Sequence, residues 1–159
     1  MSSKMNRRTF IKTAATAGGA VAILPQTLFS SGSKKRVKVG FIGTGLRGQW
    51  MLWLAVKNQE VEIPAICDID NEMIDNALKI LKEGGKPFPQ IYKNGEEDFL
   101  NLLHNEELDG VYIATPWKWH HPMAIAAMKS GKHVGTEVPA ALTVEECWDL
   151  VNTSEKTGK

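Results

Sequence analysis

The chain has 159 residues, a formal net charge of +1, 43% hydrophobic and 23% charged residues. That length favours a single domain and that composition an ordinary globular chain. The near-neutral balance gives no electrostatic footprint for nucleic acid, so none is expected as a partner. No apolar run reaches the ~18 residues that cross a bilayer, so stable membrane insertion is not expected. Two cysteines, Cys67 and Cys147, are too few for a disulfide framework. Both fall in apolar segments and read as small buried hydrophobes; no metal-ligand spacing is present.

The N-terminus reads Asn6-Arg7-Arg8-Thr9-Phe10-Ile11-Lys12, then a weakly apolar stretch from Thr13 to Leu24, Pro25, and Ser30-Ser31-Gly32-Ser33. A charged region, a short apolar region and a small polar region, in that order, form the layout of an export signal. The paired arginines followed by Phe and Lys resemble a twin-arginine signal, which implies export of an already folded protein to the periplasm or beyond. A basic tail is the alternative. Residues 1–33 are therefore expected to be leader and linker, and residues 34–159 the folded domain.

From Arg36 onward strand and helix patterns alternate. Val37 to Ile42 is a β-branched run and the first strand. Leu46, Trp50, Trp53, Leu54 and Lys57 recur at helical spacing, so the apolar members are expected to face a core. Val61 to Cys67 is the second strand. Met73, Ile74, Ala77, Ile80 and Leu81 line a second helix that ends at Gly84-Gly85. A short strand is expected near Gln90-Ile91-Tyr92, and a third helix at Phe99, Leu102 and Leu103. Asp109 to Ala114 is the fourth strand, Pro122 opens a helix that closes at Gly131, and Lys132 to Val138 is the fifth strand. In the last helix Val144, Cys147, Trp148 and Val151 form a stripe expected to face the core, with Thr143 and Glu146 as a capping box. This alternation predicts an α/β fold, a Rossmann-type doubly wound parallel sheet truncated after its fifth strand–helix unit.

Gly43-Thr44-Gly45-Leu46-Arg47-Gly48 is a G-x-G-x-x-G between the first strand and first helix. Gly43 permits the tight turn, Gly45 lets backbone amides approach a pyrophosphate, and Gly48 lets helix and strand pack closely. Asp68 ends the second strand, twenty residues after Gly48. A carboxylate there accepts hydrogen bonds from ribose hydroxyls and repels a 2′-phosphate, so the expected cofactor is NAD rather than NADP. Asp70 is the alternative. Arg47 is either a cofactor contact or a solvated charge at the helix start.

Further along, Ala114-Thr115-Pro116-x-x-x-His120 and Gly131-Lys132-His133-Val134 complete a pattern that resembles the Gfo/Idh/MocA group of oxidoreductases. The resemblance covers the chain from about Arg36 to its end. It implies that this half binds NAD(P) and that a following α/β domain binds a sugar. The group usually carries Glu-Lys-Pro at the end of the fifth strand, with the Lys in proton transfer; here the residues are Glu137-Val138-Pro139. That segment and Thr115-Pro116-Trp117-Lys118-Trp119-His120 are similar to a subgroup, the NAD-dependent α-N-acetylgalactosaminidases, in which Lys118 is often Glu. Carried over by position, cofactor contacts fall on Leu46, Arg47, Asp68, Trp117, Lys118, Trp119, His120, Glu137 and Val138, beside Gly43, Gly45 and Gly48. The resemblance implies glycoside hydrolysis by transient oxidation at sugar C3, loss of the C2 proton with expulsion of the C1 substituent, addition of water and re-reduction, an exception to two-carboxylate hydrolysis. Catalytic acid–base residues are then expected beyond Lys159, and no catalytic residue or metal site within the chain. Simple packing of Trp117 and Trp119, and a solvated Glu137, stand as alternatives. So do a sugar or cyclitol dehydrogenase and an inactive nucleotide-binding fragment. The oligomeric state is open, a homo-oligomer included.

Overall fold

The computed structural model describes residues 36–159, which lie in the unit Lys35–Lys159. The leader expected at residues 1–33 lies outside the described residues. The elements in chain order are β1 (Val37–Ile42), α1 (Leu46–Val56), β2 (Val61–Glu62), β3 (Ala65–Cys67), α2 (Asn71–Glu83), β4 (Gln90–Tyr92), α3 (Asp98–Asn105), β5 (Gly110–Ile113), a 3₁₀ turn (Trp117–Trp119), α4 (His120–Lys129), β6 (His133–Thr136) and α5 (Val144–Thr157).

All strands pair in parallel in the order β4-β3-β1-β5-β6, with β2 beside β1. The second predicted strand is broken in two. Pro64 has no N–H to give the ladder, so β2 pairs at Val37 and Lys38 while β3 pairs at Phe41 and Ile42. The register brings Tyr92, Cys67, Ile42, Ile113 and Thr136 into one row at the carboxyl ends of the strands. The loops that follow those five residues therefore open on the same edge, where ligands bind in open α/β sheets.

Strand alternation splits the core between the two faces of the sheet. Phe41, Ile66, Leu52, Val56, Ile74 and Leu81 pack together on one side. Ile42, Cys67, Ile113, Leu102, Met123 and Ala127 pack on the other.

Two predicted helix faces are turned away from the core. In α1 the buried residues are Gly48, Leu52 and Val56, while Leu46, Trp50, Trp53 and Leu54 are exposed. The cause is Gly48. A Cβ there would sit 2.1 Å from the Gly43 carbonyl oxygen, so glycine must face the strand, and it sets the rotation of the helix. The displaced aromatics satisfy one another: Trp50 and Trp53 stack at 5.1 Å, and the Lys57 ammonium lies 3.0 Å from the Trp53 ring centre.

In α5 the stripe Val144, Cys147, Trp148 and Val151 is also exposed, Trp148 at 62%. Leu150, packed against the core, and buried Thr153 face inward instead. Cys67 is buried as expected; Cys147 is not. The capping box is present with a shifted return bond: Glu146 N–H donates to the Thr143 hydroxyl, and the Glu146 carboxylate accepts from Leu142 N–H. Because Trp148 packs on little, Trp148→Ser is expected to move the unfolding free energy of this chain by no more than about 0.5 kcal/mol, read from urea melts. A loss of several kcal/mol would show that this face is covered in solution.

Candidate functional site

The glycine loop leaves β1 with Gly43 at φ +87°, a region that costs an L side chain. A Cβ there would meet the backbone of Ala114 and Thr115 at 2.7–2.8 Å. Gly43 and Gly48 are thus required by the protein's own packing. Gly45 is different: a Cβ built on it has nothing within 4 Å, and its φ of −63° suits any residue. Gly45 is also the N-cap of α1, and no side chain caps the helix. Its first-turn amides and the positive end of its dipole face an open approach, which suits an anion.

Asp68 braces the loop. Its Oδ2 accepts from Thr44 N–H at 2.5 Å and from the Thr44 hydroxyl at 3.0 Å, and its Oδ1 accepts from Asp70 N–H at 3.0 Å. Asp70 instead caps α2, accepting from Glu72 and Met73 amides. Both acids thus serve the local backbone, Asp68 the glycine loop and Asp70 the start of α2. A cleft of about 420 Å³ runs past them, lined among others by Gly43, Gly45, Asp68, Ile69, Glu96 and Lys118.

The remaining predicted residues are dispersed, and only some of them line the cleft. Lys118 and Trp119 line the cleft; Lys118 lies 3.7 Å from Glu96, and Trp119 packs edge-on against Phe99 at 6.1 Å. Trp117, Leu46 and Val138 are exposed, the last two at 88% and 80%. His120 is 1% exposed, and both ring nitrogens lie 2.7 Å from backbone carbonyls, of Thr115 and Pro139. It ties the turn after β5 to the segment after β6 and presents no spare polar atom to the cleft. His121 reaches Asp149 of α5 at 2.9 Å.

Arg47 and Glu137 are brought together from 90 residues apart, Arg47 Nε donating to Glu137 Oε1 at 2.6 Å. The Tyr112 hydroxyl donates to the same oxygen. Burial first, and then this bond, pushes the Tyr112 hydroxyl up to about 12. The Tyr112 hydroxyl first, and then Arg47, hold the Glu137 carboxyl below its ordinary range. Tyr112 carries no mark of this role in the sequence; the register that sets Tyr112 beside Gly135 on β6 creates it.

Glu137 is more acidic folded than unfolded. Its contribution to stability is therefore complete above about pH 5 and is lost as the pH falls through the lowered folded value. Urea melts of wild type and Glu137→Gln are expected to differ at pH 7 and to draw together as the pH falls through the lowered folded value. A gap independent of pH would contradict the assignment.

Among the described residues no cluster of His, Cys, Asp and Glu is arranged to hold a metal. The donor set does fit a dinucleotide: uncapped amides and an unfilled space at Gly45 for a pyrophosphate, and a carboxylate at Asp68 for a ribose. A doubly wound parallel sheet with that loop at its switch point defines a nucleotide-binding Rossmann domain.

The chain belongs to the Gfo/Idh/MocA group: residues 37–159 match the family described as "Oxidoreductase family, NAD-binding Rossmann fold". Among curated proteins it is 40% identical, over 98% of its own length, to a "Glycosyl hydrolase family 109 protein" of Saccharopolyspora erythraea, and covers 38% of that protein. It is 43% identical, over 96% of its length, to an "Alpha-N-acetylgalactosaminidase" of Tannerella forsythia, and covers 36% of it. The chain thus spans little more than a third of these relatives. Among solved structures it resembles myo-inositol 2-dehydrogenase from Lactobacillus plantarum (TM-score 0.65, 26% identity, 77% of this chain and 34% of that one). It also resembles scyllo-inositol dehydrogenase from Lactobacillus casei with bound NAD(H) and scyllo-inositol (TM-score 0.67, 25% identity, 78% and 34%). The cofactor of this domain is NAD.

Proposed function

We propose that the chain is the NAD-binding part of an exported glycosidase of the α-N-acetylgalactosaminidase type. The observation that carries this is the 40–44% identity, along nearly all of the chain, to proteins bearing that name or the glycosyl hydrolase family 109 name. Val138 supports it. A dehydrogenase of this group is expected to carry a proton-transferring Lys there, whereas Val138 has no ionisable group and is exposed.

When bound, NAD supplies a reversible hydride acceptor for sugar C3. The chain's own residues bind and orient it. The α1 amides hold the pyrophosphate, Asp68 accepts from the ribose hydroxyls, and the Tyr112–Glu137–Arg47 cluster fixes a carboxylate at the end of β6. The lowered Glu137 carboxyl supports a role for it as a carboxylate beside the nicotinamide half of the cofactor. Loss of the sugar C2 proton, expulsion of the C1 substituent and addition of water are assigned to residues of a substrate domain outside this chain. The Arg7-Arg8 segment supports export in a folded, cofactor-loaded state.

The test is release of p-nitrophenol from an α-N-acetylgalactosaminide by the protein at its full natural length. Release that requires NAD, without accumulation of NADH, is the expected result. Steady NADH formation from free inositols or sugars, with no glycoside cleavage, would make the protein a dehydrogenase instead.

A further inference from the structure

The far end of the cleft brings Lys118 beside Glu96, a residue that the cofactor motifs do not include. The sheet order runs outward from β1 to β3 to β4, so the path from Gly45 past Asp68 leads toward the loop after β4. If the pyrophosphate lies at Gly45 and a ribose at Asp68, the base reaches the part of the cleft lined by Ile69, Gly95, Glu96, Pro116 and Lys118. Ile69 is a large apolar side chain left exposed there, a surface for one face of a flat ring.

Glu96 and Lys118 stand at this rim, Oε1 and Nζ 3.7 Å apart and both side chains more than half exposed. An exposed pair of that length contributes little to stability, so a ligand can take over its partners at small cost. A carboxylate only accepts hydrogen bonds, and an ammonium only donates them. The N7 edge of adenine offers the complement: the exocyclic amino donor beside the N7 acceptor. Hypoxanthine reverses the sense at the exocyclic position, with a carbonyl oxygen where adenine has its amino group. A carboxylate facing that oxygen is left without a donor.

We infer that Glu96 and Lys118 read the adenine edge of the dinucleotide and select it over the hypoxanthine analogue. This rests on the NAD site described above. The experiment is calorimetric titration of this chain, wild type and Glu96→Gln, with NAD⁺ and with nicotinamide hypoxanthine dinucleotide. Wild type is expected to prefer NAD⁺ by about tenfold. Glu96→Gln, whose amide can donate as well as accept, is expected to narrow the preference to within about threefold. Equal affinity of wild type for the two dinucleotides, or a preference that survives Glu96→Gln, overturns the inference while leaving the NAD site standing. No binding of NAD⁺ to wild type overturns the site and this inference with it.

Discussion

Gly48→Ala is expected to cost this chain at least about 2 kcal/mol of stability and to weaken NAD⁺ binding on the order of 100-fold. The reason is geometric. The new methyl would lie 2.1 Å from the Gly43 carbonyl oxygen and 2.9 Å from its carbon. Neither atom belongs to a flexible side chain that can swing aside. Either α1 lifts from β1, opening the packing around Leu52 and Val56, or the turn at Gly43 moves toward Ala114, where the backbones are already so close that a Cβ on Gly43 would lie 2.7 Å from the Ala114 carbonyl carbon. Both movements displace the first-turn amides that would hold the pyrophosphate. Thermal or urea denaturation and NAD⁺ titration read the two effects separately. A variant as stable as wild type would mean that the loop is looser in solution than the close contact between residues 43 and 48 requires.

Asp68→Ala is expected to reduce NAD⁺ affinity by about ten- to 100-fold and to erase discrimination against NADP⁺. Two losses combine. The carboxylate can no longer accept from the ribose hydroxyls, and charge-assisted bonds of that kind are among the stronger ones. The loop also loses its brace, because the amide and hydroxyl of Thr44, a fully buried residue, both donate to Asp68. An unsatisfied buried donor costs about 1–3 kcal/mol. Removal of the negative charge at the same time lifts the repulsion of a 2′-phosphate. The diagnostic quantity is the ratio of NAD⁺ to NADP⁺ affinity, which is expected to approach one. A lower affinity for both cofactors with an unchanged ratio would leave Asp68 as a brace only and move the ribose to another acceptor.

The order of elements and the place of the cofactor loop were legible in the sequence because both rest on local chemistry. Strand runs, glycine turns and caps each act within a few residues. Helix rotation was not legible. In α1 both tryptophans and two leucines stand on one side, matched in number by Met51, Leu52, Ala55 and Val56 on the other, and one steric requirement at Gly48 turns the tryptophans outward. In α5 the apolar stripe is real, but no described element lies over it, and Leu150 and Thr153 face the core instead. The break at Pro64 follows from a missing N–H, a signal present in the sequence within a run otherwise typical of a strand.

The site divides in the same way. The glycines and Asp68 follow from spacing along the chain. Spacing alone left Asp70 as the alternative to Asp68, and it could not show that Asp70 caps α2 while Asp68 braces the loop. Tyr112 and Glu96 could not be found in that manner. Tyr112 meets Glu137 only through the pairing of β5 with β6, and Glu96 meets Lys118 across the cleft between two loops. His120, read from the sequence as facing the cofactor, is instead a buried tie between two loops, because two carbonyls flank its ring.

The proposed NAD site makes the glycine loop an anion site and not merely a tight turn. Gly45 isolates that role, since the fold places no atom near its missing side chain. The most direct measurement is titration of wild type and Gly45→Ala with NAD⁺, alongside their melting curves. Stability of the variant is expected to stay within about 1 kcal/mol of wild type, because a poorer N-cap is offset by lower unfolded-chain entropy. Its NAD⁺ affinity is expected to be lower by at least about tenfold. A Gly45→Ala chain that binds NAD⁺ as tightly as wild type would contradict the anion site.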